Sequence, residues 1–316
     1  MLFWYFLISL SATVPGLNPG DVLFVGSGQN NNPVFRITGW DKFRRQSGAL
    51  TVSTEQAGKL SARVKAKRSR PDLIYIPHLN TGHGTIAVDG DLREWKDVRP
   101  VQIKDGETVV AQVYLAWGII VPGHNGAHGL MAAFDVTTDK PWKSASTPQL
   151  AFQGGAAVEL RFGPLEPARK ASGPGDVRVV AAPVGQGGRT VAVEMMPALP
   201  EGWGQNARKP ATYRTLNGTV TFDCVQPLRD GWAGARAKED GSGYTVEMLI
   251  PLRPPLLAGP GLRFRIDASV VLPDAQGTKS LLRLPLFSRD GADMGVVDTY
   301  FDSLLRPQNW VEAVLE

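Results

Sequence analysis

The chain has 316 residues, of which 43% are hydrophobic and 20% charged, with a formal net charge of +4. That balance excludes a disordered chain, and the length allows one large domain or two smaller ones. The single cysteine, Cys224, excludes an internal disulfide. The basic run Arg63–Arg70 has no aromatic residue interleaved for base stacking, so no nucleic-acid partner is expected.

In chain order, the first feature is "LFWYFLISL", a nine-residue apolar run followed by small residues. It has the character of the hydrophobic part of an export signal, although no Lys or Arg precedes it. It is too short to span a membrane. Residues 1–20 therefore read as an incomplete signal segment, and the chain as exported to an extracellular or periplasmic location. Residues 21–77 follow. "DVLFVGS", "PVFRITGW" and "RQSGALTV" read as three short strands around the Gly/Asn turn "GQNNN". Three such strands cannot bury a core alone. This stretch resembles one blade of a β-propeller, which implies a propeller domain or a missing N-terminal part as partner. A charged linker then leads to the strand-like "PDLIYIPHL".

From Thr85 onward the pattern is strand after strand. The candidates are "TIAVDG", "VRPVQI", "VVAQVYLAW", "GLMAAFDVTT", "AAVELRFG", "DVRVVAAPV", "RTVAVEMM", "GTVTFDCV", "AGARAKE", "YTVEMLIPL", "RFRIDASVVLP" and "SLLRLPLF". In "YTVEMLI" the alternation puts Tyr244, Val246, Met248 and Ile250 on one face, and Thr245 and Glu247 on the other. "EDGSGY" joins two runs as a hairpin. Residues 78–316 are thus expected to form an all-β, immunoglobulin-like or jelly-roll-type antiparallel β-sandwich, preceded by an N-terminal β-hairpin segment.

The acid-rich "VDGDLREW" (Val88–Trp95) fails as an EF-type calcium loop, because Arg93 stands at the third ligand position. It also fails as a catalytic acid pair, since nothing in the turn would bury Asp89, Asp91 or Glu94. It reads as a turn after a strand, with Trp95 pinning the next segment to the core. His124 and His128 have H-x3-H spacing in a Gly-rich loop, without a third ligand nearby. Cys224 in "VTFDCVQPL" reads as a small buried strand residue. Trp117, Trp232 and Trp310 fall in strand or closing motifs and read as core. Trp142 in "DKPWKS" and Trp203 in "PEGWGQN" lie in Gly/Pro-rich loops, where a ring can stack on a sugar. No acid/base pair for hydrolysis is found.

The series "IAVDGDLREW", "VYLAW", "GLMAAFDV" with "DKPW", "FQGGAAVEL", "GYTVEMLIPL" and "RPQNWVEAVLE" resembles, in order and spacing, family 9 carbohydrate-binding modules. The resemblance covers about Thr85 to the C-terminus. It implies a secreted, non-catalytic sugar-binding sandwich within a larger polysaccharide-processing protein, commonly beside a glycoside hydrolase, with structural calcium. It also implies a saccharide ligand held by a carboxylate, an arginine and two clamping aromatic rings. On this sequence the carboxylate is Glu159, the arginine Arg178, the first clamp Phe152 or Gln153, and the second Tyr300 or Phe301. The family's tryptophans are absent from the clamp positions, and Ala156 stands where an acidic residue is common. The alternative reading is a structural or docking sandwich that packs on a propeller and binds no sugar.

Overall fold

The computed structural model describes residues 73–79, 86–120, 127–166, 169, 171–184, 188–203, 205–215, 218–229, 231–286 and 305–316, with the backbone of five strands before residue 63. The chain divides into two compact units, Met1–Arg70 and Pro71–Glu316. In the first, β1 (Ile8–Ala12), β4 (Leu50–Thr54) and β5 (Gly58–Ala62) form a three-stranded sheet. β2 (Val22–Ser27) and β3 (Pro33–Ile37) pair as an antiparallel hairpin. The expected hairpin is present, but the third expected strand, β4, pairs with β1 instead of extending it. β1 lies within the stretch read as an export segment.

The second unit is an antiparallel β-sandwich. Its larger sheet has eight strands, in the order β15 (Cys224–Pro227), β12 (Arg189–Met196), β11 (Val177–Val184), β10 (Ala157–Pro164), β18 (Arg263–Pro273), β20 (Val311–Leu315), β6 (Leu73–Ile76). β19 (Ser280–Pro285) pairs with the second half of β18, and β20 with the first half. β6 joins β20 in parallel, so "LIYI" belongs to this sheet. The smaller sheet runs β16 (Ala233–Ala237), β17 (Gly243–Pro251), β9 (His128–Thr137), β8 (Thr108–Ile119), β7 (Val101–Asp105). A two-stranded hairpin, β13 (Ala211–Thr215) and β14 (Gly218–Phe222), completes the described strands.

Period-2 alternation builds the core. Val158, Leu160 and Phe162 of β10, Val179 and Ala181 of β11, and Ala268 and Val270 of β18 face the other sheet. Val113 and Leu115 of β8, Phe134 of β9, and Val246 and Met248 of β17 meet them, each almost fully buried. Such a side chain contributes about 1.5–3 kcal/mol by leaving water. The outer faces are covered too. Phe152, Tyr213, Phe222, Leu305 and Trp310 pack over the larger sheet. Ile86, Trp95 and Val98 pack over the smaller one, against Met131, Ala133 and Leu249.

Two strand expectations are corrected. Residues 86–90 make no strand; Ile86 is buried over the smaller sheet, while the Asp89 and Gly90 N–H groups donate to a side chain. "GTVTFDCV" is two strands rather than one. At Asp223 the chain leaves the β13–β14 hairpin for the edge of the larger sheet, and the Asp223 carboxylate accepts from Leu199 N at 3.2 Å. β13 itself, interrupted in sequence by polar residues, was not foreseen. Cys224 is fully buried, and burial raises its thiol pKa, as befits an inert core residue.

Candidate functional site

Glu159, in the first half of β10, points to the outer face of the larger sheet, because its neighbours Val158 and Leu160 point inward. Registered beside it on β18 is Ser269; two residues along β10, Arg161 is flanked by Asp267 of β18 and Arg178 of β11. The side chains converge. One Glu159 oxygen pairs with Arg178; the other pairs with Arg283 of β19, with Arg161 Nη2 at 2.9 Å, and accepts from Ser269 Oγ at 3.0 Å. Arg161 also donates to Ser269 Oγ at 2.8 Å and approaches Asp267 at 3.4 Å. Arg283 donates to the Phe152 carbonyl at 2.9 Å, and the Arg178 guanidinium lies 4.6 Å from the centre of the Phe152 ring.

Of the four positions that the resemblance named as ligand-binding, with Phe152 rather than Gln153 as the first clamp, three are therefore brought together: Phe152, Glu159 and Arg178. Tyr300 lies outside the described residues. All three are enclosed, with Phe152 and Glu159 fully buried and Arg178 1% exposed. Burial acts to raise the Glu159 pKa, but Arg178, Arg283 and Arg161 outweigh it and hold the carboxyl well below its ordinary range. Burial first, and then the two neighbouring guanidinium groups, bring Arg178 down to about 10. Both groups stay charged at neutral pH, so Glu159 can accept hydrogen bonds but cannot serve as a general acid. Arg161 was legible from "VELRF", two residues along the same face. Arg283 was not, since it arrives through β19–β18 pairing 122–124 residues later in the chain, a separation no local pattern records.

The opposite outer face carries a second buried carboxylate. Glu247 of β17 accepts from Trp95 Nε1 at 2.8 Å, Gly90 N at 2.7 Å and Asp89 N at 3.0 Å. It fixes "VDGDLREW", whose Leu92–Trp95 forms a 3₁₀ turn capped by Asp91. Gly90 has φ +79°, and a Cβ there would lie 2.8 Å from the Arg236 backbone nitrogen, so the turn requires glycine. Trp95 is fully buried, as its reading as a pin required. Burial raises the Glu247 pKa to about 7 against its three N–H donors.

Trp142 and Trp203, the loop rings, are half-buried against the main core. Trp142 donates to Thr190 Oγ1 at 3.1 Å and packs on Tyr244 at 4.6 Å. Arg253 lies over Trp203 at 5.5 Å. Neither joins the Glu159 cluster. Among the described residues no group of three or more His, Cys, Asp or Glu is placed to hold a metal ion. Asp91 is occupied by Arg93 at 2.8 Å and its own cap. Among the described residues no helix is long and apolar enough to cross a membrane.

No family model matches the sequence, and no curated protein matches it. Among solved structures, a carbohydrate-binding module of family 9 from Caldicellulosiruptor kristjanssonii in complex with cellotriose is similar at 13% identity. The match covers 77% of this chain and 93% of that one, with a TM-score of 0.39. The module from the same organism in complex with glucose is similar at 14% identity, over 77% of this chain and 95% of that one, with a TM-score of 0.41.

Proposed function

We propose that the chain is a non-catalytic carbohydrate-binding module, exported as part of a larger polysaccharide-processing protein. The observation supporting it is the Glu159–Arg178 pair, on adjacent strands with the Phe152 ring against the guanidinium. A sugar needs an ionised acceptor, a fixed fork of donors and an aromatic surface for its C–H faces. These three residues supply each of them. Because they are enclosed, a ligand would reach them only by displacing part of their cover.

The test is calorimetric titration of the full chain with mono- and oligosaccharides, starting with glucose and cellotriose, before and after chelation. Saturable binding is expected, with Arg178→Lys weakening it because a lysine cannot reproduce the two-pronged donor. A flat trace across the panel from folded protein overturns the reading. Loss of binding on chelation would show that a bound metal ion supports the site.

The second reading, a structural sandwich without a sugar ligand, is favoured by one observation: the closure of the cluster itself. Arg161, Arg283 and Ser269 already occupy one oxygen of Glu159, and Arg178 occupies the other.

A further inference from the structure

The outer face of the smaller sheet, beside the part covered by Ile86, Trp95 and Val98, carries a feature that the Glu159 cluster does not use. Strand register places five polar side chains in one row across all five strands. Gln102 of β7 stands beside Gln112 of β8, Gln112 beside Asp135 of β9, Asp135 beside Thr245 of β17, and Thr245 beside Arg236 of β16. All five point away from the core. Gln102 and Arg236 are exposed, while Gln112, Asp135 and Thr245 are half-buried. The row spans four inter-strand spacings, about 19 Å.

One end of this row opens into a groove of about 520 Å³. Asp91 and Leu92 of the 3₁₀ turn form one wall, the β16–β17 hairpin from Arg236 to Asp240 the other, and Asp135 and Thr245 the floor. The walls are fixed. Asp135 pairs with Lys238 at 2.6 Å, Asp91 with Arg236 at 3.7 Å, and Thr245 Oγ1 donates to Gly90 O at 2.5 Å. The turn forming the first wall is the one held by Glu247. Tyr114, one residue pair along from Gln112, donates to its amide oxygen at 3.4 Å and supplies a half-buried ring beside the row.

We infer that this row and groove form a second glycan site, which binds a short neutral oligosaccharide across the strands; the inference rests on the carbohydrate-binding reading above. Each sugar hydroxyl is both donor and acceptor. The row answers with two amides and a hydroxyl, which both donate and accept, a carboxylate that accepts and a guanidinium that donates. Leu92 and Tyr114 provide the apolar surface for ring C–H faces. Charge selects within the class. Around the groove Asp91, Asp135, Glu239 and Asp240 stand against Arg236, Lys238 and the Arg93 paired with Asp91, leaving an excess of one negative charge that disfavours uronic or sulfated sugars.

The test titrates the full chain with a neutral gluco-oligosaccharide of six sugars and with an oligogalacturonate of equal length. The Gln112→Ala/Asp135→Ala double variant is measured in parallel, with Arg236→Ala as a second variant should the first fail to fold. The expected result is hexasaccharide binding weakened at least about tenfold by either variant, with weaker binding of the oligogalacturonate throughout. Unchanged hexasaccharide binding in the folded variants overturns the groove assignment and leaves carbohydrate binding standing. Equal or tighter binding of the oligogalacturonate overturns the charge assignment. No binding of either glycan or any sugar in the panel by the folded wild type overturns both readings together.

Discussion

The two sheets each bury one glutamate on their outer face, and the two are stabilised in opposite ways. Glu159 is fully buried among Arg161, Arg178 and Arg283. Glu247 is fully buried and, among the described residues, pairs with no cation; one indole and two backbone N–H groups hold it. Burial costs both carboxylates their hydration. Formal charge offsets that cost at Glu159, where the pKa falls; dipoles alone do not at Glu247, where it rises to about 7. The same residue type thus becomes a permanent anion on one face and a group titrating near neutrality on the other.

The largest effect comes from breaking the ionic side of this contrast. Glu159→Ala leaves three guanidinium groups without their shared carboxylate, and is expected to destabilise the fold by about 3–5 kcal/mol. Denaturant midpoints measure it; a loss under about 1 kcal/mol would show that the cluster is not held by charge. The next effect is pH dependence. The folded Glu247 pKa lies above its unfolded value of 4.5, so the folded state holds the extra proton. Its contribution is fully present below about pH 4.5 and is lost as pH rises through about 7, by at most about 3 kcal/mol. Glu159 has the opposite sign, with stability present above its unfolded pKa of 4.5 and lost as pH falls through the lowered folded value. Asp176, raised to about 6 chiefly by burial, adds to the Glu247 trend. Thermal midpoints from pH 5 to 8 should therefore fall with rising pH, and Glu247→Gln should flatten most of the slope; an unchanged slope would assign it elsewhere. The smallest effect is Trp95→Phe, which keeps a ring but removes the donor to one Glu247 oxygen. It is expected to cost about 2 kcal/mol, read from the same denaturant curves.

Much of the fold was legible. Alternation in "YTVEMLI", "AAVELRFG" and "RFRIDASVVLP" gave the strand and its inward face, because a strand buried against one partner must repeat every two residues. "EDGSGY" gave the β16–β17 hairpin, with Gly241 at φ +71°. The turn in "VDGDLREW" was legible, but its anchor was not: alternation put Glu247 on the face opposite Val246 and Met248, and it records a face but not what lies over that face. Phe152, Glu159 and Arg178 were named from the order of motifs, and they do meet; their enclosure by Arg161, Arg283 and Ser269 was not foreseen.

The sequence by itself determined an all-β sandwich, the inward side of its main strands and the glycine turn at Asp89–Gly90, since these follow from local stereochemistry and period-2 burial. Only the tertiary structure decided that β6 completes the larger sheet from the far end of the domain, that Arg283 closes on Glu159, that Glu247 holds Trp95, and that Gln102, Gln112, Asp135, Thr245 and Arg236 stand in one row. Each of these depends on strand register between distant segments, where a shift of one residue would turn every side chain to the opposite face.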